Sequence, residues 1–205
     1  MEYINITFVV STAVMLFLIM DPLGNLPVFV SILRHFSDAD YRRIVFRESL
    51  AALAVMLLFL FFGNRILELL HVSTVSLGIA GGIILFMIAI KMVFGTHTPP
   101  EANLKEPLLV PLAIPLFAGP SVLTVLILIR GTPDATLPAC LTALFLTWMI
   151  SAAILTTGRF WERVIGTKVL AALEALMGFL LTVVAVEMLI HGIREAFPGI
   201  CPPVG

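Results

Sequence analysis

Six apolar stretches divide the chain, at 6–33, 45–63, 73–94, 107–130, 136–157 and 169–191, and most charged residues lie outside them. A bilayer core about 30 Å thick takes about 20 apolar residues of helix at 1.5 Å each. The pattern predicts an all-α membrane protein with six transmembrane helices and little chain outside them. The first stretch is too long for one straight crossing. Ile6 to Leu33 would run roughly 42 Å as unbroken helix, so tilt or local unwinding must absorb the excess.

Two proline-punctuated segments mark where unwinding is easiest. Asp21-Pro22-Leu23-Gly24-Asn25-Leu26-Pro27 interrupts the first stretch, and Ile114-Pro115-Leu116-Phe117-Ala118-Gly119-Pro120 interrupts the fourth. One offset of 93 residues carries Pro22 to Pro115 and Pro27 to Pro120. Proline inside a helix removes a donor and clashes with the preceding turn. Backbone groups freed at membrane depth need protein or a watered cavity to satisfy them. Interrupted helices at matching places in two halves are the sequence pointer to a transport site.

A second match supports duplication. Gly82, Ala89, Lys91 and Met92 correspond to Gly178, Ala185, Glu187 and Met188 at an offset of 96. Three helices per half would put the second half upside down, giving two inverted three-helix repeats with helices 1 and 4 broken. The expected layout is one integral membrane domain over 1–205. Its first repeat covers 1–95, a cytoplasmic link 96–106, and its second repeat 107–197.

Composition agrees, with 60% hydrophobic and 12% charged residues and a mean hydropathy of +1.11. A net charge of −1 argues against nucleic acid as a partner, which needs a concentrated basic surface. The N-terminal run carries Glu2 and no small-residue cleavage site, so the first helix is expected to be retained. Nine basic residues (Arg34, Arg42, Arg43, Arg47, Lys91, Lys105, Arg159, Arg163, Lys168) fall on one side of the alternating loops, against Arg65, Arg130 and Arg194. The basic side is expected to be cytoplasmic, with both termini outside.

Asp21 follows a long uncharged run and lies well inside the bilayer. Intramembrane carboxylates usually face a cavity or partner, so Asp21 is a candidate for carrying a coupling proton or contacting substrate. Asp followed by Pro is equally a good N-cap and N1 pair, and the two roles are compatible. Gly24 and Asn25 are expected to form the loop between half-helices. Gly119, Pro120, Ser121 and Thr124 occupy the corresponding region of the second half, where free N–H groups suit an anionic group. Secondary candidates are Glu187, Glu48 and Lys91. For Lys91 snorkelling is the simpler account, and for Arg47–Glu48 an ion pair or solvated helix start. Gly78 and Gly82 allow close helix approach, for packing or for a dimer.

No metal, phosphate-loop or nucleophile-elbow motif occurs, so no cofactor and no enzymatic activity are expected. Cys140 and Cys201 both fall toward the predicted outer side, where oxidation is permitted, and pairing or free thiols are both open.

The strings LIMDPLGNLPVFVSIL, VPLAIPLFAGPSVLT and GGIILFMIAIKM resemble the paired motifs of the MarC family of bacterial inner-membrane proteins over essentially the whole chain. Asp21, Pro22, Gly24, Asn25 and Pro27 match the first motif; Pro115, Gly119 and Pro120 match the second, with Ser121 where many relatives carry Gly. The resemblance implies six helices, the inner membrane, and kinship with a wider group that includes LysE-type amino-acid exporters. The expectation is a secondary transporter exporting a small polar metabolite, with the bilayer and that metabolite as its partners and a homodimer compatible with its size. A passive channel and a non-transporting scaffold are the rivals.

Overall fold

The computed structural model describes residues 5–94, 118–133 and 135–197. Pro115, the 96–106 link and Cys201 lie outside the described residues. All regular structure among the described residues is helical: α1 (Ile6–Met20), α2 (Pro22–Ile32), α3 (Asp38–Leu70), α4 (Thr74–Val93), α5 (Pro120–Arg130), α6 (Leu137–Thr156), α7 (Gly158–Ile165) and α8 (Thr167–Ala196). Five segments are long and apolar enough to cross a membrane: Ile6–Ile32, α3, α4, α6 and α8. These match five of the six expected stretches. The remaining one, 107–130, is described from residue 118 onward and contributes the short apolar helix α5.

Each helix starts where local chemistry favours it. Asn5, Ser37, Ser73 and Thr136 each accept from the backbone N–H three residues on and cap α1, α3, α4 and α6. Pro22 and Pro120 stand at the first position of α2 and α5, where a missing N–H costs nothing. The turn between α7 and α8 passes through Gly166 at φ 82°, a backbone that a side chain would strain.

The first interruption is narrower than the sequence pattern suggests. Asp21 alone leaves the helix, at φ 43° and ψ 62°. Gly24, Asn25 and Pro27 lie inside α2 rather than forming a loop. The reason is local: Asp21 caps and Pro22 starts a new helix at once, so no further residues need to unwind. α3 begins at Asp38 rather than near 45, so Glu48 sits almost three turns into it. Lys168 belongs to the first turn of α8, and the 5–6 connection is largely the short helix α7.

α2 packs on α6 and α8, and α5 packs on α3 and α4. α4 and α8 make the most extensive helix–helix contact, closely approached at Gly82 and Gly178. Without water to drive helices together inside lipid, such small-residue contacts permit the dense packing that holds a bundle. The Gly78–Gly82 face is therefore used within the chain: Gly78 meets Leu128 of α5 and Gly82 meets α8. Hydrogen bonds tie the bundle at several levels. The Tyr41 hydroxyl donates to the Leu155 carbonyl at 2.9 Å, Trp148 Nε1 to Ser49 at 2.7 Å, and Thr147 Oγ1 to Ala13 at 3.0 Å.

Candidate functional site

Asp21 is 3% exposed and uses its two carboxylate oxygens differently. Oδ1 accepts from the Gly24 N–H at 3.0 Å, capping α2. Oδ2 has no hydrogen-bond partner among the described residues. The left-handed backbone at Asp21 is unusual for a non-glycine residue, though Asp and Asn tolerate it better than most. Gly24 allows this arrangement, because a side chain there would collide with the Asp21 carboxylate and with the Met92 methyl.

The break also rearranges the end of α1. Pro22 has no N–H to give to the carbonyl four residues earlier, that of Leu18. The Met20 carbonyl is instead reached by Asn25 Nδ2 at 3.0 Å. Asn25 thus serves the interruption from within the first turn of α2.

The first interruption and the start of α5, in the second proline segment, meet at one cavity. A space of about 110 Å³ is lined by Asp21 and Asn25 from the first, and by Gly119, Ser121 and Val122 from the second. Leu85, Ile88 and Met92 of α4 and Leu181 of α8 form the apolar remainder, together with Ile19. Gly119 caps α5 without a side-chain hydrogen bond, so the start of α5 offers backbone N–H groups beside the space. Ser121 is buried.

The other sequence candidates are distributed differently. Thr124 is buried but faces Gly81 of α4 and donates to the Pro120 carbonyl at 2.9 Å. Pro22 is buried behind the break, Pro27 is half-buried within α2, and Pro120 is exposed. Lys91 and Glu187 are exposed on α4 and α8, away from the cavity lining. Glu48 is 1% exposed and pairs with Arg47 at 3.2 Å. The ion pair forms, but the solvated helix start expected for it does not, because α3 begins ten residues earlier. Cys140 is buried and unpaired among the described residues.

Sequence reasoning passed over Glu174. It is 5% exposed on α8, the helix that packs against the α2 that Asp21 caps. The signal available was a second acid beside Glu187 in the sixth stretch, five residues inside its expected start at 169.

The model of the MarC family integral membrane proteins matches residues 6–197. The chain belongs to the MarC family. It is 45% identical over 194 residues to the UPF0056 inner membrane protein YhgN of Escherichia coli strain K12, covering 93% of this chain and 98% of that one. A UPF0056 membrane protein of Buchnera aphidicola is 42% identical over 194 residues, covering 92% and 98%. One from Chlamydia pneumoniae is 32% identical over 188 residues, covering 90% and 93%. No solved structure matches. This MarC protein is thus an integral inner-membrane protein, and its broken first helix and α5 lie within the span that the family model covers.

Proposed function

We propose that this MarC protein is a small secondary transporter of the bacterial inner membrane, exporting a small polar metabolite by ion-coupled alternating access. The observation that carries the reading is the meeting of the broken first helix and the proline-led start of α5 at one cavity that holds a buried, half-used carboxylate. Structural motifs spread through a sequence need not share a cavity, and a scaffold has no use for one. The cavity presents a carboxylate at one side and the uncapped start of α5 at the other. That pairing suits a metabolite with both positive and negative or acceptor groups, such as an amino acid.

The reading includes six crossings built as two inverted repeats, with both termini periplasmic. Its support is reciprocal packing: α2 on α6 and α8, matched by α5 on α3 and α4. α2 and α5 are also alike, each 11 residues long with proline first. The matching offset is 98, so Pro120 takes the place of Pro22 rather than of Pro27. At about 110 Å³ the cavity is small beside the 300–1,000 Å³ of ordinary ligand pockets. A cavity of this size must widen to load a metabolite. No catalytic step is assigned to the site, and a gradient rather than a bound nucleotide supplies the energy.

Flux into liposomes tests this. Purified wild type and Asp21→Asn would be reconstituted and screened with labelled amino acids and small organic ions under an imposed proton or sodium gradient. Asn keeps both the cap and tolerance of the left-handed backbone, so loss of saturable flux in a folded Asp21→Asn protein reports on the carboxylate. Gradient-independent, non-saturating flux would identify a channel. Absence of flux from a broad panel with folded protein would sink the transport reading and favour the scaffold.

A further inference from the structure

We infer that Asp21 Oδ2, backed by Glu174, is the binding site of a monovalent metal cation, with sodium as its natural probe. The site lies in the cavity of the transport reading and would supply its coupling ion. Equilibrium binding requires no flux, however, so either reading can fail alone.

Three independent features converge on a positive charge. Oδ2 is a buried carboxylate oxygen without a hydrogen-bond partner among the described residues, and its residue is one of those that line the cavity. A charge taken out of water is costly unless it is paired or coordinates an ion. Glu174 is a second buried acid, on the helix α8 that packs against α2, and a cation between two like charges eases their repulsion. The third feature is backbone. α1 ends here with its negative pole, and Pro22 deprives the Leu18 carbonyl of its usual donor. Carbonyls at the C-terminal ends of broken helices are recurrent ligands for transported ions.

The same features argue for one charge and a small ion. Among the described residues no three acidic or histidine side chains gather into a metal cluster, whereas divalent calcium takes six to eight oxygens with several carboxylates. Here the residue of a single unpartnered carboxylate oxygen shares the cavity lining with neutral residues, Asn25, Gly119 and Ser121 among them. A water occupies about 30 Å³ of liquid, so about 110 Å³ accommodates an ion with roughly two waters still attached.

The test is equilibrium binding of radioactive sodium to the full-length protein in detergent, at slightly acidic and slightly basic pH. Unlabelled sodium and choline would serve as competitors, and size exclusion would confirm each sample folded. Wild type should bind saturably at one site, displaced by sodium and not by choline. Asp21→Asn should abolish binding. Glu174→Gln should retain it with affinity lowered about tenfold, the scale of one removed charge near the ion. Lack of saturable sodium binding by folded wild type at both pH values overturns the inference, even if flux proves to be proton-driven. So does binding that survives Asp21→Asn. Sodium binding without metabolite flux upholds the cation site and removes the transport reading instead.

Discussion

Gly82 and Gly178 are reciprocal partners in the crossing of α4 and α8. A β-carbon at Gly82 would meet Leu189 and the Ala185 carbonyl; one at Gly178 would meet Met92, Val93 and the Ala89 carbonyl. The offset of 96 that carries Gly82 to Gly178 also carries Ala89 to Ala185 and Val93 to Leu189. The helices run antiparallel at this point, since Gly82 faces the later residues of α8 and Gly178 those of α4. One residue pattern therefore makes the same contact twice, as a two-fold axis between the proposed repeats requires.

The two glycines are not equally crowded, which gives a graded prediction. At Gly178 the nearest atoms are the Met92 β-carbon at 2.8 Å and the Ala89 carbonyl at 3.0 Å, and neither can swing away. At Gly82 the nearest is the Leu189 side chain at 3.0 Å, which has some freedom. Overfilling a packed contact costs roughly 1–3 kcal/mol. Gly178→Ala should fall within that range and Gly82→Ala below it, measured as loss of thermal stability in detergent. The reverse order would mean that α4, not the Leu189 side chain of α8, yields at the crossing.

Gly24→Ala tests the cap. The added methyl would strike the Asp21 carboxylate and the Met92 methyl, and Asp21 would lose its bond to the Gly24 N–H. Losing a cap costs about 1 kcal/mol, too little to unfold the bundle. Sodium binding and flux should both fall at least as far as in Asp21→Asn, with the protein still inserted and monodisperse. Near-normal binding in Gly24→Ala would show that the carboxylate need not hold this position.

Much of this layout was legible in the sequence, and the misreadings share a cause. Apolar runs located five spans correctly because lipid demands them. Asp21-Pro22 located the first break because the pair both ends and starts a helix. Glu48 and Glu174 were misjudged or missed because a run is counted from its first apolar residue. The helices begin earlier, at Asp38 and Thr167, and carry each acid inward. The P-x4-P match aligned Pro27 with Pro120, whereas helix starts align Pro22 with Pro120. Spacing records that two prolines exist, while the cap decides which one opens a helix.

Ser151 gives a prediction of opposite sign to most. Its hydroxyl is fully buried on α6 with no hydrogen-bond partner among the described residues. A buried polar group left unsatisfied costs free energy. Ser151→Ala should therefore leave thermal stability unchanged or raise it, by up to about 1 kcal/mol. A clear drop in melting temperature would reveal a partner for the hydroxyl that the described residues do not supply.

Arg159 of α7 locks the far end of the half-helix that Asp21 begins. Its Nη2 donates to the carbonyls of Leu33 at 2.6 Å and Phe36 at 2.8 Å, satisfying groups just past the end of α2. Nη1 pairs with Asp38 at 2.6 Å, and the guanidinium lies 4.9 Å from the Tyr41 ring centroid. A lysine cannot reproduce this fork and stacking together. Charged donors to carbonyls are worth about 1.5–3 kcal/mol, so Arg159→Ala should destabilise by about 2–3 kcal/mol and Arg159→Lys by somewhat less. Asp38→Asn should matter less than either, since its carboxylate is half exposed and screened by salt. If α2 shifts when the cavity opens, loosening this clamp should also change the rate of flux while leaving sodium affinity intact. Flux and stability measured together on Arg159→Lys separate the two effects: a stable protein with altered flux places the clamp in the moving part, and unchanged flux confines it to the static frame.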